Sequence, residues 1–147
     1  MLSSRPHFKQ DVYKRQRWYN DSIGTSPTRT TACLESFPQK VILIAGGYDK
    51  GVPFTQLGVE IVKKVKALIL TGDTAPAIRK AVEEAEGYGN SGLELIETED
   101  LAAAVAAAQG AAVAGDVVVL SPACAAFDRY KNFMERGRVF KELVNAL

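Results

Sequence analysis

The sequence predicts an α/β domain with a mostly parallel, twisted sheet of about five to six strands and helices on both faces. Short runs of aliphatic and β-branched residues, which are typical of buried strands, alternate along the chain with longer segments of helical periodicity. Because parallel neighbours in a sheet need crossover helices between them, this alternation favours a Rossmann-like arrangement. The 147 residues are enough for one such domain.

Each predicted strand is a short apolar run between turn-forming residues. The predicted strands cover residues 18–20, 41–45, 66–70, 93–96 and 117–120, and the predicted helices cover residues 26–37, 54–64, 74–86, 101–112 and 132–145. Ser26 followed by Pro27 is a strong helix start, because a hydroxyl caps the helix and proline fits its first turn. Thr98 is expected to cap the alanine-rich helix, with Glu99 and Asp100 in its first turn.

Composition excludes several classes of protein. The net charge of +1 gives no reason to expect a nucleic acid or an anionic membrane as partner. No apolar run approaches the roughly 20 residues that cross a bilayer, and no signal peptide is recognisable. The two cysteines, Cys33 and Cys124, indicate a reducing compartment. A single histidine, His7, excludes a multi-histidine metal site.

Residues 1–16 differ from the rest because they are polar, basic and aperiodic. The stretch from Asp11 to Gln16 resembles the translation of a sequencing-library adapter. We therefore predict that residues 1–16 are a non-native or disordered extension without function, and that the domain comprises residues 17–147.

The segment after the second strand contains Gly46, Gly47, Asp49 and Lys50. Two glycines after a buried strand let backbone N–H groups approach an anion, and a lysine there can bind a carboxylate or phosphate. The spacing matches neither a Walker A motif nor G-x-G-x-x-G. On composition alone, a tight strand-to-helix turn with a solvated lysine is the favoured interpretation.

The segment after the first strand carries Asp21, Ser22, Thr25 and Ser26. These oxygens could bind ribose hydroxyls, a metal ion or a substrate amide. Capping by Ser26 and a turn built on Asp21 are the structural alternative.

The segment after the last strand mixes small, aromatic and charged residues in a way that suits neither a core nor a linker. Ligands of open α/β sheets bind beyond the carboxyl ends of the strands, so this segment is expected to contribute to a site. Cys124 has no histidine near it in sequence and is interpreted as a buried, inert thiol. Phe127, Tyr130 and Phe133 could equally belong to the core.

Together and in this order, the three segments resemble the C-terminal domain of the Mur ligase family. The matching residues are Asn20, Asp21, Ser22 and Thr25, then Ala45 to Lys50, then Leu120 to Ala125 with Asp128 and Lys131-Asn132-Phe133. The resemblance covers residues 17–147. It is strongest to the members that add D-glutamate to UDP-N-acetylmuramoyl-L-alanine, because Ser-Pro-Ala-Cys-Ala followed by Lys-Asn-Phe is specific to them.

The resemblance implies a role for individual residues. Lys50 matches a lysine that binds a carboxylate of D-glutamate, and Thr25 matches a hydroxyl that contacts the same substrate. Phe127 and Phe133 match positions whose backbone shapes the glutamate pocket, and Asp21 matches an aspartate near the nucleotide ribose. Ser22, Gly46, Gly47 and Asp49 are expected at the rim. Many members have lysine in place of Ile23 and serine in place of Ala126, so the contacts of those two side chains are missing here.

The resemblance also implies the chemistry of peptidoglycan precursor synthesis, in which ATP converts a carboxylate to an acyl phosphate that the amine of D-glutamate attacks. ATP and Mg²⁺ are bound mainly by a central domain with a P-loop, and this sequence contains no Gly-Lys-Thr/Ser segment. We therefore expect the chain to correspond to the amino-acid-binding domain of a monomeric enzyme of the bacterial cytoplasm, inactive by itself. A non-catalytic small-molecule-binding domain, and the C-terminal domain of another Mur or folylpolyglutamate-type ligase, remain alternatives.

Overall fold

The computed structural model describes residues 11–13, by their backbone alone, and residues 16–147; His7 lies outside these residues. Six strands and five helices are the main elements of this part of the chain. In chain order they are β1 (Asp11–Tyr13), β2 (Gln16–Asn20), α1 (Pro27–Glu35), β3 (Val41–Ala45), α2 (Thr55–Lys64), β4 (Val65–Leu70), α3 (Ala75–Glu83), β5 (Glu94–Glu97), α4 (Leu101–Ala111), β6 (Val117–Leu120) and α5 (Phe133–Asn145).

All six strands form one sheet in the order β1-β2-β6-β3-β4-β5. β1 is antiparallel to β2, and every other neighbouring pair is parallel, which confirms the predicted fold class. β6 lies between β2 and β3, with Val119 opposite both Tyr19 and Leu43. Because the carboxyl ends of parallel strands lie at one edge of the sheet, the loops after β2, β3 and β6 meet there.

Helices cover both faces of the sheet, as predicted. The side chains of β3 alternate, so that Leu43 packs under α1, α2 and α3 while Ile42 and Ile44 pack under α4 and α5. All three are fully buried. Burying such a side chain stabilises the fold by about 1.5–3 kcal/mol, so the sheet is the rigid base from which the loops project. None of the helices in residues 16–147 is long and apolar enough to cross a membrane.

The structure differs from the sequence prediction at the start of the chain. Asp11–Tyr13 pairs with β2 as a strand, and Gln16, which was assigned to the extension, begins β2 and is buried. An antiparallel edge strand is held by backbone hydrogen bonds, so an aperiodic side-chain pattern does not reveal it. The other residues of the predicted extension lie outside the described part of the chain.

The capping prediction is right at one helix and wrong at another. The Ser26 side chain accepts a hydrogen bond from the Arg29 amide, as expected for a cap. At α4 the cap is Asp100, whose carboxylate accepts from the Ala103 amide at 2.8 Å. Thr98 instead donates its hydroxyl to the carbonyl of Leu70. Asp and Thr are both good N-cap residues. Asp100 is the cap because it directly precedes the helix, whereas Thr98 lies two residues earlier.

Candidate functional site

Backbone hydrogen bonds fasten the loop after β6 to the loops after β2 and β3. The Gly46 amide donates to the Pro122 carbonyl at 2.9 Å, and the Tyr48 amide donates to the Ala125 carbonyl at 2.9 Å. On the other side, the Ala123 amide donates to the Gly24 carbonyl at 2.8 Å. The segment 121–125 therefore lies between the loop that carries Thr25 and the loop that carries Lys50.

Thr25 and Lys50 line one pocket, with a volume of about 180 Å³. Its wall consists of Thr25, Ser26, Pro27, Tyr48, Lys50, Val52, Ala123, Cys124 and Ala125. Lys50 is exposed, and its ammonium makes no ion pair with any residue of the described chain. The pocket thus offers an uncompensated cation, a hydroxyl at Thr25 and peptide groups, which suits a small molecule with a carboxylate.

Phe127 lies beside this pocket without lining it. Its ring is 62% exposed and packs edge-on against Tyr48, with 6.2 Å between the ring centroids. Tyr48 lines the pocket and is a residue to which sequence reasoning gave no role. Ala126 is buried, and its carbonyl accepts from the amides of Arg129 and Tyr130. The backbone at this turn is therefore fixed, as a shaping role requires.

Phe133 lies elsewhere, in a second and more open pocket of about 510 Å³. Ser22 lines the same pocket, together with Asn20, Ile23, Met134, Gly137, Arg138 and Lys141. The structure therefore brings Lys50 and Thr25 together but places Phe133 and Ser22 in a neighbouring groove. Phe133 is the first residue of α5 and does not line the Lys50 pocket.

Asp21 is buried at the end of β2, with 8% of its surface exposed. Its carboxylate accepts a hydrogen bond from the Ser121 hydroxyl at 2.8 Å, and that hydroxyl lies 2.9 Å from the hydroxyl of Thr30. This network joins the ends of β2 and β6 to α1. Asp21 thus has a structural role, and its contact with a nucleotide ribose stays a prediction.

The two glycines after β3 adopt the close packing that their lack of a side chain permits. Gly46 has φ +114°, and a Cβ there would lie 1.8 Å from the Thr71 carbonyl oxygen. Both glycines border a third, small pocket. The Gly47 amide donates to the Thr74 hydroxyl at 3.0 Å, so the fully buried Thr74 holds this turn in place. Asp49 accepts from the Gly51 amide at 2.8 Å and stabilises the turn that presents Lys50.

Cys124 is a buried thiol in the wall of the Lys50 pocket. Its sulfur lies 3.2 Å from the Thr74 hydroxyl, and burial raises the pKa of the thiol to about 11. Because the thiolate is the reactive form, this group is not set up as a nucleophile at neutral pH.

Comparisons with known proteins identify the family of this chain. The family profile described as "Mur ligase, glutamate ligase domain" matches residues 5–124, which is most of the chain. The chain belongs to the Mur ligase family. Two curated proteins named UDP-N-acetylmuramoylalanine–D-glutamate ligase are similar to this Mur ligase chain: one from Symbiobacterium thermophilum at 52% identity over 131 residues and one from Acetivibrio thermocellus at 53% over 133 residues. Each alignment covers 89% of this chain and 28% of the relative, so the chain spans little more than a quarter of their length.

Solved structures show the same fold. A murein peptide ligase from Psychrobacter arcticus aligns with 95% of this chain and 30% of its own, with a TM-score of 0.59 and 14% identity. The family profile and the curated relatives confirm the family prediction made from the three loop segments. The solved structure confirms the fold.

Acidic, histidine and cysteine side chains of the described residues do not cluster as metal ligands would. Within residues 16–147, no three or more His, Cys, Asp or Glu side chains are grouped so that they could hold a metal ion. The described residues thus offer no such group for the Mg²⁺ that the family resemblance implies.

Proposed function

We propose that this chain is the amino-acid-binding domain of an ATP-dependent ligase that attaches D-glutamate to UDP-N-acetylmuramoyl-L-alanine in the bacterial cytoplasm. The observation that carries the proposal is the pocket shared by Lys50 and Thr25. Its cation has no partner among the described residues, and D-glutamate supplies two carboxylates. The names of the curated relatives specify the same amino acid.

In the proposed reaction the chain positions the nucleophile. Lys50 binds one carboxylate of D-glutamate by charge, and Thr25 hydrogen-bonds to the substrate from the opposite wall. Tyr48 and Ala125 belong to the pocket wall, and Phe127 supports the Tyr48 ring from outside it. Holding the amine at a fixed place converts a bimolecular attack on the acyl phosphate into a nearly unimolecular one, which can lower the barrier by several kcal/mol. ATP and Mg²⁺ would be bound mainly by a partner domain.

The direct test joins residues 17–147 to the first two domains of a related ligase and measures ATP-dependent coupling of several amino acids. D-Glutamate should be preferred over L-glutamate, D-aspartate and D-alanine. Preference for another amino acid would assign the chain to a different ligase of the superfamily. Failure of every amino acid to couple, with the fusion correctly folded, would favour a non-catalytic binding domain.

In the same fusion, Lys50→Ala should raise the KM for D-glutamate by about tenfold or more, because a charge-assisted hydrogen bond contributes about 1.5–3 kcal/mol. The KM for ATP should change little. Lys40→Ala, an exposed lysine outside the pocket, is the matched control. An unchanged KM for D-glutamate in Lys50→Ala would remove the role assigned to this lysine.

A further inference from the structure

Arg136 is an almost completely buried arginine, 3% exposed, on the apolar face of α5. It precedes Phe140 and Val144 at intervals of four residues, so the three side chains share one helix face. Removing a guanidinium from water is unfavourable unless its donors are satisfied. Burial accordingly lowers the pKa of Arg136 to about 10. Because burial of this guanidinium is energetically unfavourable, a functional role would explain why an arginine occupies this position.

The guanidinium joins the loops that form the Lys50 pocket. Its Nη2 donates to the Ser22 carbonyl at 3.1 Å and to the Cys124 carbonyl at 2.9 Å. Ser22 belongs to the loop that leads to Thr25, and Cys124 is itself in the pocket wall. Gly47, in the loop that leads to Lys50, also lies against the guanidinium, since a Cβ built there would be 3.1 Å from Nη1. All three loops of the pocket therefore pack around one side chain.

Two other donors of the Arg136 guanidinium make no hydrogen bond to these loops. Nε and Nη1 are buried and find no hydrogen-bond partner in the described chain, and the same holds for the Thr71 hydroxyl. Arg136, Thr71 and Asp128 border the same small pocket of about 20 Å³. A space of this size accommodates about one water molecule. A water there would satisfy Arg136 and Thr71 and link the guanidinium to the carboxylate of Asp128.

We propose that Arg136 is a positioning residue of the amino-acid site. It does not touch the substrate; it fixes the spacing between the Thr25 loop, the Lys50 loop and the wall at Cys124. Lysine cannot replace it, because an ammonium lacks the planar fork that reaches two carbonyl groups and the small pocket at once. This inference rests on the proposed function for the identity of the ligand, D-glutamate.

The test uses the complete 147-residue chain, labelled with ¹⁵N. Arg136→Lys is compared with Arg138→Lys, a matched control on the same helix whose guanidinium is exposed and paired with Glu142. The readouts are the melting temperature, the amide chemical shifts and the dissociation constant for D-glutamate by titration. Arg136→Lys should shift the amides of Thr25, Gly47 and Ala125 together and weaken binding by about tenfold or more, since small misplacements of a site are costly. The control should leave the amide shifts of the three loops and the dissociation constant unchanged.

A folded Arg136→Lys variant with wild-type amide shifts in the three loops and wild-type affinity would overturn the proposal. So would a variant whose melting temperature falls while those amide shifts and the affinity do not change, because that pattern describes a merely structural residue. In Arg136→Ala, millimolar guanidinium should restore the loop shifts and part of the affinity, and urea at the same concentration should not.

The two proposals fail differently. If the wild-type chain shows no response to D-glutamate, the proposed function is contradicted. The amide shifts of the three loops still decide whether Arg136 holds them together, because they are measured without ligand.

Discussion

Ala123 is the non-glycine residue of the described chain with a positive φ, +64°. An alanine in this left-handed region is strained by about 1–2 kcal/mol. It is also buried, lines the Lys50 pocket, and donates its amide to Gly24. The strain therefore sits at the point where the loop after β6 bends between the two neighbouring loops.

We predict that Ala123→Gly changes the free energy of unfolding by less than about 1 kcal/mol, because relief of strain offsets the greater entropy of an unfolded glycine. Ala125→Gly is the control, because Ala125 does not have a positive φ. Its free energy of unfolding should fall by about 1 kcal/mol, since no backbone strain is relieved. Ala123→Val should lose more than either, because a β-branched side chain fits poorly at positive φ. Urea unfolding measures all three. Equal decreases in the free energy of unfolding for Ala123→Gly and Ala125→Gly would show that the backbone at Ala123 is not strained.

The raised pKa of Cys124 predicts a thiol that reacts slowly. With a pKa of about 11 in place of 9.0, the native thiolate population near neutral pH is about 100-fold smaller than in the unfolded chain. In a Cys33→Ser background, alkylation by iodoacetamide should therefore be at least about 100-fold slower in buffer than in urea at pH 8. The rate should rise with pH up to about 11. A native rate that levels off near pH 9 would show that burial does not perturb this thiol.

At the scale of the elements, α5 is docked on the loop after β2 through a glycine. The Asn20 side chain donates to the Gly137 carbonyl at 2.8 Å, and a Cβ on Gly137 would lie 2.2 Å from the Ser22 hydroxyl oxygen. This contact sets the position of the helix that carries Phe133 and Arg136. Close approach, more than backbone freedom, is the reason for glycine here.

We predict that Gly137→Ala destabilises the chain by about 1–3 kcal/mol through overpacking, measured by urea unfolding. Gly110→Ala is the matched control in α4: a Cβ there meets nothing within 4 Å, so alanine should stabilise by up to about 1 kcal/mol through its helix propensity. Adding Ser22→Ala to Gly137→Ala should recover part of the loss. Equal changes in the free energy of unfolding for Gly137→Ala and Gly110→Ala would show that close packing is not the reason for glycine at position 137.

The sequence predicted the elements better than the contacts between them. Unbroken aliphatic runs such as Val41–Ala45 and Val117–Leu120 mark buried parallel strands, and the structure confirms both. The choice between Thr98 and Asp100 as cap was wrong because it depends on local backbone geometry that composition does not contain. Whether Phe133 joins the Lys50 pocket likewise depends on the path of the irregular segment before α5, which periodicity does not reveal.

The importance of Arg136 also escaped sequence reasoning, although a signal was present. A charged residue in register with Phe140 and Val144 breaks an otherwise apolar helix face. Such a break is evidence for a buried, hydrogen-bonded charge. Its partners, the carbonyl groups of Ser22 and Cys124, are 114 and 12 residues away and are not predictable from periodicity.

At the scale of the whole molecule, the candidate site depends on the middle of the sheet and not on its edge. The pocket loops follow β2, β3 and β6, which are neighbours, and β1 lies outside β2. β2 pairs with β6 from Arg17 to Asn20, and this pairing involves no residue of β1. Its side chains Trp18 and Tyr19 are buried on opposite faces of the sheet and join both cores.

We therefore predict that deletion of residues 1–15 leaves the fold and the site intact. The melting temperature should fall by no more than about 4 °C, which corresponds to about 1 kcal/mol for a domain of this size. The dissociation constant for D-glutamate should stay within about twofold, since less than 0.5 kcal/mol is at stake. Thermal unfolding and an NMR titration measure both. Deletion of residues 1–20 is the control: it removes Trp18, 1% exposed, and Tyr19, 3% exposed, and should abolish folding. If the shorter deletion already unfolds the chain, the N-terminal segment is an integral part of the domain and the boundary at residue 17 is wrong.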